Sequence, residues 1–438
     1  MNFESRMNNS LQRYVGEWWV PARADHDIKM MFMQPEGMMG HERKYTGTLT
    51  YYGDKESTLS LYHVPSNFHS KHYHQNDVMW GRDANGHIFT LFNVMMKEQR
   101  MGDFTETKFL VGLILVGEHV LYTEDTRFKK CIVQYPYLRN WAFNNQIMGK
   151  DVNEGISFIT SINSTMLLES VCEDGIFWRM WQYPEIERTI HDLRIAQKTE
   201  LEIEVKRPCS IWTYLRQVEE FSQFLSIALY GDQNPTEIKF ENRENGNICH
   251  LLFKKDKSVN PDVSTLIKFE HLKEKLPSML KVWHENFEKM APISSYLIES
   301  LNKKNRFDVP DFLIIAQALD GYHKRFVNKK DGKDHRKYED GIKILLSTFE
   351  DVDCVQRCHI DPIVLKDSRD KYSHLYPDDE ESKAVEGEDL YWLTEKCKIL
   401  LTCCILNMLG LTNSEINLCI ERSPIQNIID SSPFEFEK

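Results

Sequence analysis

One short segment, Arg369-Asp370-Lys371-Tyr372-Ser373-His374, gathers side chains that together can break a phosphodiester. An imidazole titrates near neutral pH, so His374 suits a general base or acid. Arg369 offers a fixed fork of donors to a phosphate and a permanent positive charge to the transition state. An RNA substrate brings its own nucleophile, the 2′-hydroxyl. Such a site needs no metal and no cofactor, and it leaves a 2′,3′-cyclic phosphate, or its hydrolysis product, and a 5′-hydroxyl. Asp370 is placed to orient either neighbour through a hydrogen bond, and Lys371 and Tyr372 are placed to touch RNA.

Spacing alone does not make the site, because Arg-x4-His occurs twice. The other copy, Arg82-Asp83-Ala84-Asn85-Gly86-His87, has Asn-Gly between two extended segments and reads as a hairpin turn. The copy at Arg369 falls in the second half of a helix. Asp361-Pro362 supplies a cap and a first helical position, and Pro377 stops the helix after about Tyr376. Five residues of helix turn by about 140° net, so Arg369 and His374 cannot share one face, although both can border a groove.

Other helices must build that groove. Phe312, Ile315, Leu319, Tyr322 and Phe326 form an apolar stripe behind Pro310, Tyr338 to Phe349 forms a second, and Leu390 to Met408 forms the longest, closed by Gly410. Between the last two helices runs an acidic connector, Asp378 to Asp389, which reads as a solvated loop. From Lys324 to Lys337 seven basic residues face two acidic ones, a local patch suited to RNA that includes Lys324 and Arg325.

The first half is different. Thr48 to Tyr51, Leu59 to Tyr62, Ile88 to Leu91 and Leu201 to Val205 alternate with period two, as half-buried antiparallel strands do. A helix from Trp212 to Ala228 and a hairpin around Arg243 to Asn247 complete this region. The expected fold is multidomain α+β, with a sandwich- or barrel-like β-rich domain at 1–258, a helical connector at 259–291, an all-α bundle at 292–422 and a tail at 423–438. With 438 residues, 41% hydrophobic and 27% charged, the chain can bury more than one core. A net charge of -12 opposes broad, non-specific nucleic-acid binding and leaves only local contacts. Ten scattered cysteines, the shortness of the apolar run Ile399 to Leu409 and the absence of a signal pattern point to a cytoplasmic protein with free thiols.

The motif and its bundle resemble the HEPN family, whose ribonuclease members carry Arg, a polar residue, three variable positions and His late in a helical bundle. Arg369, Asp370 and His374 match. The bundle, together with Gly16-Glu17-Trp18-Trp19-Val20-Pro21, resembles the ApeA-type anti-phage proteins, which join such a domain to an N-terminal β-rich one. The resemblance implies an endoribonuclease acting as a homodimer, with two copies of the motif facing one cleft. It implies RNA as partner and a phage-derived trigger at the N-terminal half; a flexible loop of tRNA, messenger RNA or ribosomal RNA would each present an accessible phosphodiester, with tRNA the favoured one. It also implies an acidic residue, often Glu, in the early helix. Asp320 holds that place here and joins Lys324 and Arg325 as a candidate for the RNA-facing surface.

Two other readings stand beside it: a non-catalytic HEPN module that binds RNA or a partner, and a β-domain that holds a metal or ligand around His69, His72 and His74, with His63 nearby. Cys354-x3-Cys358-His359 reads as structural thiols, and Trp18 and Trp19 as core packing. There is no phosphate-binding Gly-x4-Gly-Lys loop, dinucleotide fingerprint or Gly-x-Ser-x-Gly elbow, which counts against nucleotide hydrolysis and serine-hydrolase chemistry.

Overall fold

A computed structural model of the chain describes residues 11–21, 44–63, 78–100, 105–120, 128–143, 147–152, 155–160, 164–172, 175–188, 193–207, 209–260, 264–303, 309–328, 337–377 and 381–432. His69, His72, His74 and the basic residues from Lys329 to Arg336 lie outside them. The chain forms two compact units, one from 1–135, 200–216 and 234–257, the other from 136–199, 217–233 and 258–438.

In the first unit, strands β1 (Gln12–Trp19), β2 (Tyr45–Tyr51), β3 (Ser57–Tyr62), β4 (Met79–Asp83), β5 (Ile88–Arg100) and β6 (Glu106–Val116) are antiparallel in the order β1-β2-β3-β6-β5-β4. Because β4 also pairs with β1, the six strands close into a barrel. Period-two alternation sends Trp18, Leu49, Tyr51, Leu59, Phe89, Leu91 and Phe109 into its core. The Trp18 ring fits only because its neighbours across the sheet are glycines. A Cβ at Gly81 would stand 2.1 Å from Trp18 Cε3, and one at Gly47 3.1 Å from Trp18 Cδ1. Gly81→Ala is therefore expected to destabilise the protein by about 1–3 kcal/mol, read as a lower denaturant midpoint. A midpoint unchanged from wild type would mean that the ring can retreat.

The second Arg-x4-His copy sits in the β4–β5 hairpin. Asp83 Oδ1 accepts from the N–H groups of Asn85 (2.9 Å) and His87 (2.8 Å), its Oδ2 lies 2.8 Å from His87 Nδ1, and Gly86 takes φ 87°. These residues build a turn. β7 (Phe128–Gln134) and, later in the chain, β13 (Glu237–Asn242) and β14 (Ile248–Phe253) extend the sheet from β6. β14 pairs with β6, β13 with β14 and β7, and β7 with Leu201 to Glu204.

The second unit begins with α1 (Leu138–Trp141), a hairpin of β8 (Ile147–Val152) and β9 (Gly155–Thr160), and the pair β10 (Thr165–Val171) and β11 (Ile176–Arg188). β12 (Leu193–Val205) and α2 (Ile211–Leu229) each divide between the two sets of residues. A single cut at residue 258 thus does not separate the units, since 136–199 and 217–233 group with the helical region. The reason is packing on one long helix. After α3 (Phe269–Leu272), α4 (Leu276–Asn302) receives Ser170 Oγ at Pro277 O (2.8 Å) and donates Trp283 Nε1 to Glu220 O (2.8 Å). His284 Nδ1 lies 2.6 Å from the buried Glu220 carboxylate, and Trp178 meets both Phe221 and His284 edge-on. α4 also runs unbroken through Pro292, so no bundle starts there. Phe287, Met290, Ile293 and Leu297 are buried on both sides of the proline and hold the helix together across it.

The bundle that follows comprises α5 (Val309–Tyr322), which continues into a π-helical turn at His323–Val327, α6 (Tyr338–Thr348), α7 (Asp353–Cys358), α8 (Pro362–His374), α9 (Gly387–Met408), α10 (Asn413–Ile420) and α11 (Pro424–Ser431). The segment expected to be a tail holds α11, whose Ile425 and Ile429 are buried. Cys354 and Cys358 on α7 are buried thiols, and burial pushes the Cys358 thiol well above its ordinary range. The β-rich region followed by helices is the architecture expected from the pattern of the sequence.

Candidate RNA-cleaving site

Helix α8 starts and stops where its sequence says it should. The Asp361 carboxylate accepts from Ile363 N–H (2.8 Å), Pro362 occupies the first turn, and Leu375 ends the helix with φ 53° while Tyr376 N–H returns to Lys371 O (3.1 Å). Leu365 and Ser368 face the core, which turns Arg369 and Asp370 to the flank and leaves His374 exposed at the end.

On that flank the Arg369 guanidinium is held from two directions. Its Nη1 donates to Asp370 Oδ1 (2.9 Å), and its Cζ stands 5.1 Å from the centroid of the Tyr338 ring on α6. Its other N–H groups have no partner among the described residues. Asp370 Oδ2 also lies 3.7 Å from Lys366 Nζ, which pairs with Asp367 Oδ1 at 3.1 Å. Asp370 therefore orients Arg369, one of the two roles open to it. It makes no bond to His374, whose ring instead packs at a tilt against Tyr376 with centroids 5.2 Å apart. Arg369 and His374 share no hydrogen bond or ion pair, in keeping with the turn of helix between them.

In the sequence Tyr338 marks only the start of an apolar stripe. Its hydroxyl donates to Ala316 O on α5 (3.2 Å), and burial, with Cys397 and Asp320 adding to it, pushes that hydroxyl well above its ordinary value. Asp320 thus lies beside the same flank, where Lys324 Nζ pairs with it at 2.7 Å. Arg325 Nη1 donates to Lys289 O (2.7 Å) on α4. Both basic candidates are engaged by their own chain.

The connector after Pro377 is not merely solvated. Lys383 N–H donates to Asp367 Oδ2 (3.1 Å), Val385 N–H donates to the buried Ser368 Oγ (3.0 Å), Tyr372 donates its hydroxyl to Val385 O (3.1 Å), and Lys371 pairs with Glu386. Burial by itself raises the Asp367 carboxyl, but the bond from Lys383 N–H and the Lys366 ammonium hold it below the ordinary carboxylate range. Residues 383–386 form a strap along α8, and Lys371 and Tyr372, expected to touch RNA, hold that strap. Ser368→Ala removes a buried acceptor, so amide exchange at Val385 is expected to quicken about 5-fold, the effect of one lost hydrogen bond. Unchanged exchange there, measured by mass spectrometry or NMR, would show that the strap is held without Ser368.

A second group of charged side chains joins α5 and α9, with no motif in the sequence to mark it. Lys398 Nζ on α9 lies 3.2 Å from Asp311 Oδ2 on α5 and 2.9 Å from Glu395 Oε1, all three almost fully buried. These charges lie inside the bundle and tie α5 to α9.

Among the described residues no group of three or more His, Cys, Asp or Glu could hold a metal ion, and no helix is long and apolar enough to cross a membrane. The family model described as ApeA N-terminal domain 1 matches residues 13–283, and the one described as Apea-like HEPN matches 313–415. The second match spans α5 to α10 and includes Asp320, Tyr338, Arg369, His374 and the strap. No curated protein and no solved structure matches the chain.

Proposed function

Since the chain belongs to the ApeA family of anti-phage proteins and carries its HEPN domain, we propose that the α5–α10 region is a metal-independent endoribonuclease with Arg369 and His374 as its catalytic residues. His374 takes the proton of the 2′-hydroxyl or returns one to the 5′-oxygen, and Arg369 binds the phosphate and neutralises charge as the phosphorus centre becomes five-coordinate. The observation that supports this most is the Arg369 guanidinium, fixed by Asp370 and Tyr338 with its remaining donors unpartnered among the described residues, on the same helix as an exposed imidazole.

One chain does not bring Arg369 and His374 together. The reading therefore includes a homodimer in which two motifs face one cleft, so that two imidazoles provide both base and acid. Flexible single-stranded loops, a tRNA anticodon loop first among them, present a phosphodiester to such a cleft. The N-terminal β-rich region then receives the signal, a phage-derived trigger, that licenses cleavage.

The test is incubation of wild type and His374→Ala with total RNA in EDTA, followed by mapping of the ends. Wild type is expected to leave 2′,3′-cyclic phosphate and 5′-hydroxyl ends that the variant does not. Equal cleavage by both, or cleavage lost on chelation, sinks the proposal. RNA bound without cleavage at any condition leaves the binding-module reading in its place.

A further inference from the structure

We infer that Tyr338 is a positioning residue for Arg369: its ring is the platform that fixes the guanidinium at the site, while its hydroxyl anchors that ring to α5. The inference rests on the nuclease reading above for its functional consequence and on geometry for the rest. The guanidinium carbon stands 5.1 Å from the ring centroid, inside the range where a cation is attracted by the quadrupole of an aromatic face. The side chain of Arg369 is 34% exposed, so the contact is partly desolvated and worth more than one in open water.

Three features make Tyr338 a fixed support. It is the first residue of α6, so the start of that helix sets where the ring stands. Its hydroxyl bond to Ala316 O ties it to a second helix, so the ring cannot turn freely. Burial keeps the hydroxyl protonated and therefore a donor. Among the described residues the other partner of the guanidinium is Asp370, which sits on α8 itself and moves with it. Tyr338 is thus the contact that refers Arg369 to the rest of the bundle. With the ring beneath it and the carboxylate at Nη1, the guanidinium loses rotamer freedom before any phosphate arrives, which is what a transition-state donor requires.

Two measurements in the full chain decide the matter, with Tyr338→Phe keeping the ring and Tyr338→Met keeping bulk without it. First, the Arg369 side-chain Nε–Hε resonance, assigned by its loss in Arg369→Lys, is expected to be displaced by ring current in wild type and Tyr338→Phe and to return toward the free value in Tyr338→Met. A resonance that is the same in Tyr338→Met as in wild type overturns the inference. Second, cleavage by Tyr338→Phe is expected to stay within about 2-fold of wild type, while Tyr338→Met loses about 10-fold, carried by kcat more than by KM. A purely structural residue would instead lose activity in step with its melting temperature, and full activity in Tyr338→Met or equal loss in both variants counts against the platform. If Tyr338→Met does not fold, the Tyr338→Phe pair of readings decides: an undisplaced Arg369 resonance there overturns the inference. A wild type that cleaves no RNA overturns the nuclease reading, and the resonance alone then judges the contact.

Discussion

Arg369→Ala and His374→Ala, made separately in the full chain, are each expected to slow RNA cleavage by about 10²- to 10⁴-fold while shifting the thermal midpoint by less than about 4 °C. The two halves of this expectation have separate causes. A general base or acid contributes about 10²- to 10⁴-fold, and a donor aimed at developing charge about 10²- to 10³-fold. Neither side chain carries much of the fold. Among the described residues His374, which is exposed, has one ring contact, with Tyr376, and Arg369 makes one hydrogen bond and one ring contact on a part-exposed flank. Single-turnover cleavage in EDTA, set beside thermal unfolding, reads both quantities. Arg82→Ala and His87→Ala, at the identical spacing in the β4–β5 hairpin, are the control and should leave the rate unchanged. Cleavage that survives both α8 substitutions would move the chemistry elsewhere. Cleavage lost only in step with the melting temperature would leave α8 as scaffold.

How much of this site the sequence discloses depends on which interactions are local. The bounds of α8 are legible because Asp361, Pro362 and Pro377 act within a turn of where they sit. The hairpin at Arg82 is legible because Asp83, Asn85 and Gly86 make their own turn. The strap is not, because its hold on α8 comes mainly from the N–H groups of Lys383 and Val385. Every non-proline residue owns such a group, so no side chain announces the contact, and the acidic composition of the connector suggests water instead. Tyr338 is hidden for another reason: it lies 31 positions before Arg369, and only the packing of α6 against α8 brings them together. Pro292 misleads as a boundary because tertiary burial outweighs a local preference against helix.

Lys398 offers the largest test of the fold itself. Glu395, Lys396 and Lys398 stand together in the sequence as a solvated helix face would, yet Lys398 is 7% exposed, with Asp311 at 4% and Glu395 at 9%. Lys303 Nζ, 3.6 Å from Asp311 Oδ1, is the only other cation paired with either acid among the described residues. Lys398→Met preserves volume and removes the shared counter-charge, leaving two carboxylates in a dry interior. It is expected to destabilise the protein by about 3–5 kcal/mol, measured by denaturant unfolding. The loss comes from stranded charge more than from a lost bond. Adding Asp311→Asn and Glu395→Gln to Lys398→Met should therefore recover at least half of it. A loss below about 1 kcal/mol would mean that water reaches the group. The neutral triple variant also separates fold from chemistry, since Asp311 is on the helix that carries Asp320 and the Ala316 carbonyl holding Tyr338. If α5 needs only to be docked on α9, the triple variant cleaves RNA as wild type does. If the charges themselves set the register of α5, it regains stability without regaining the rate.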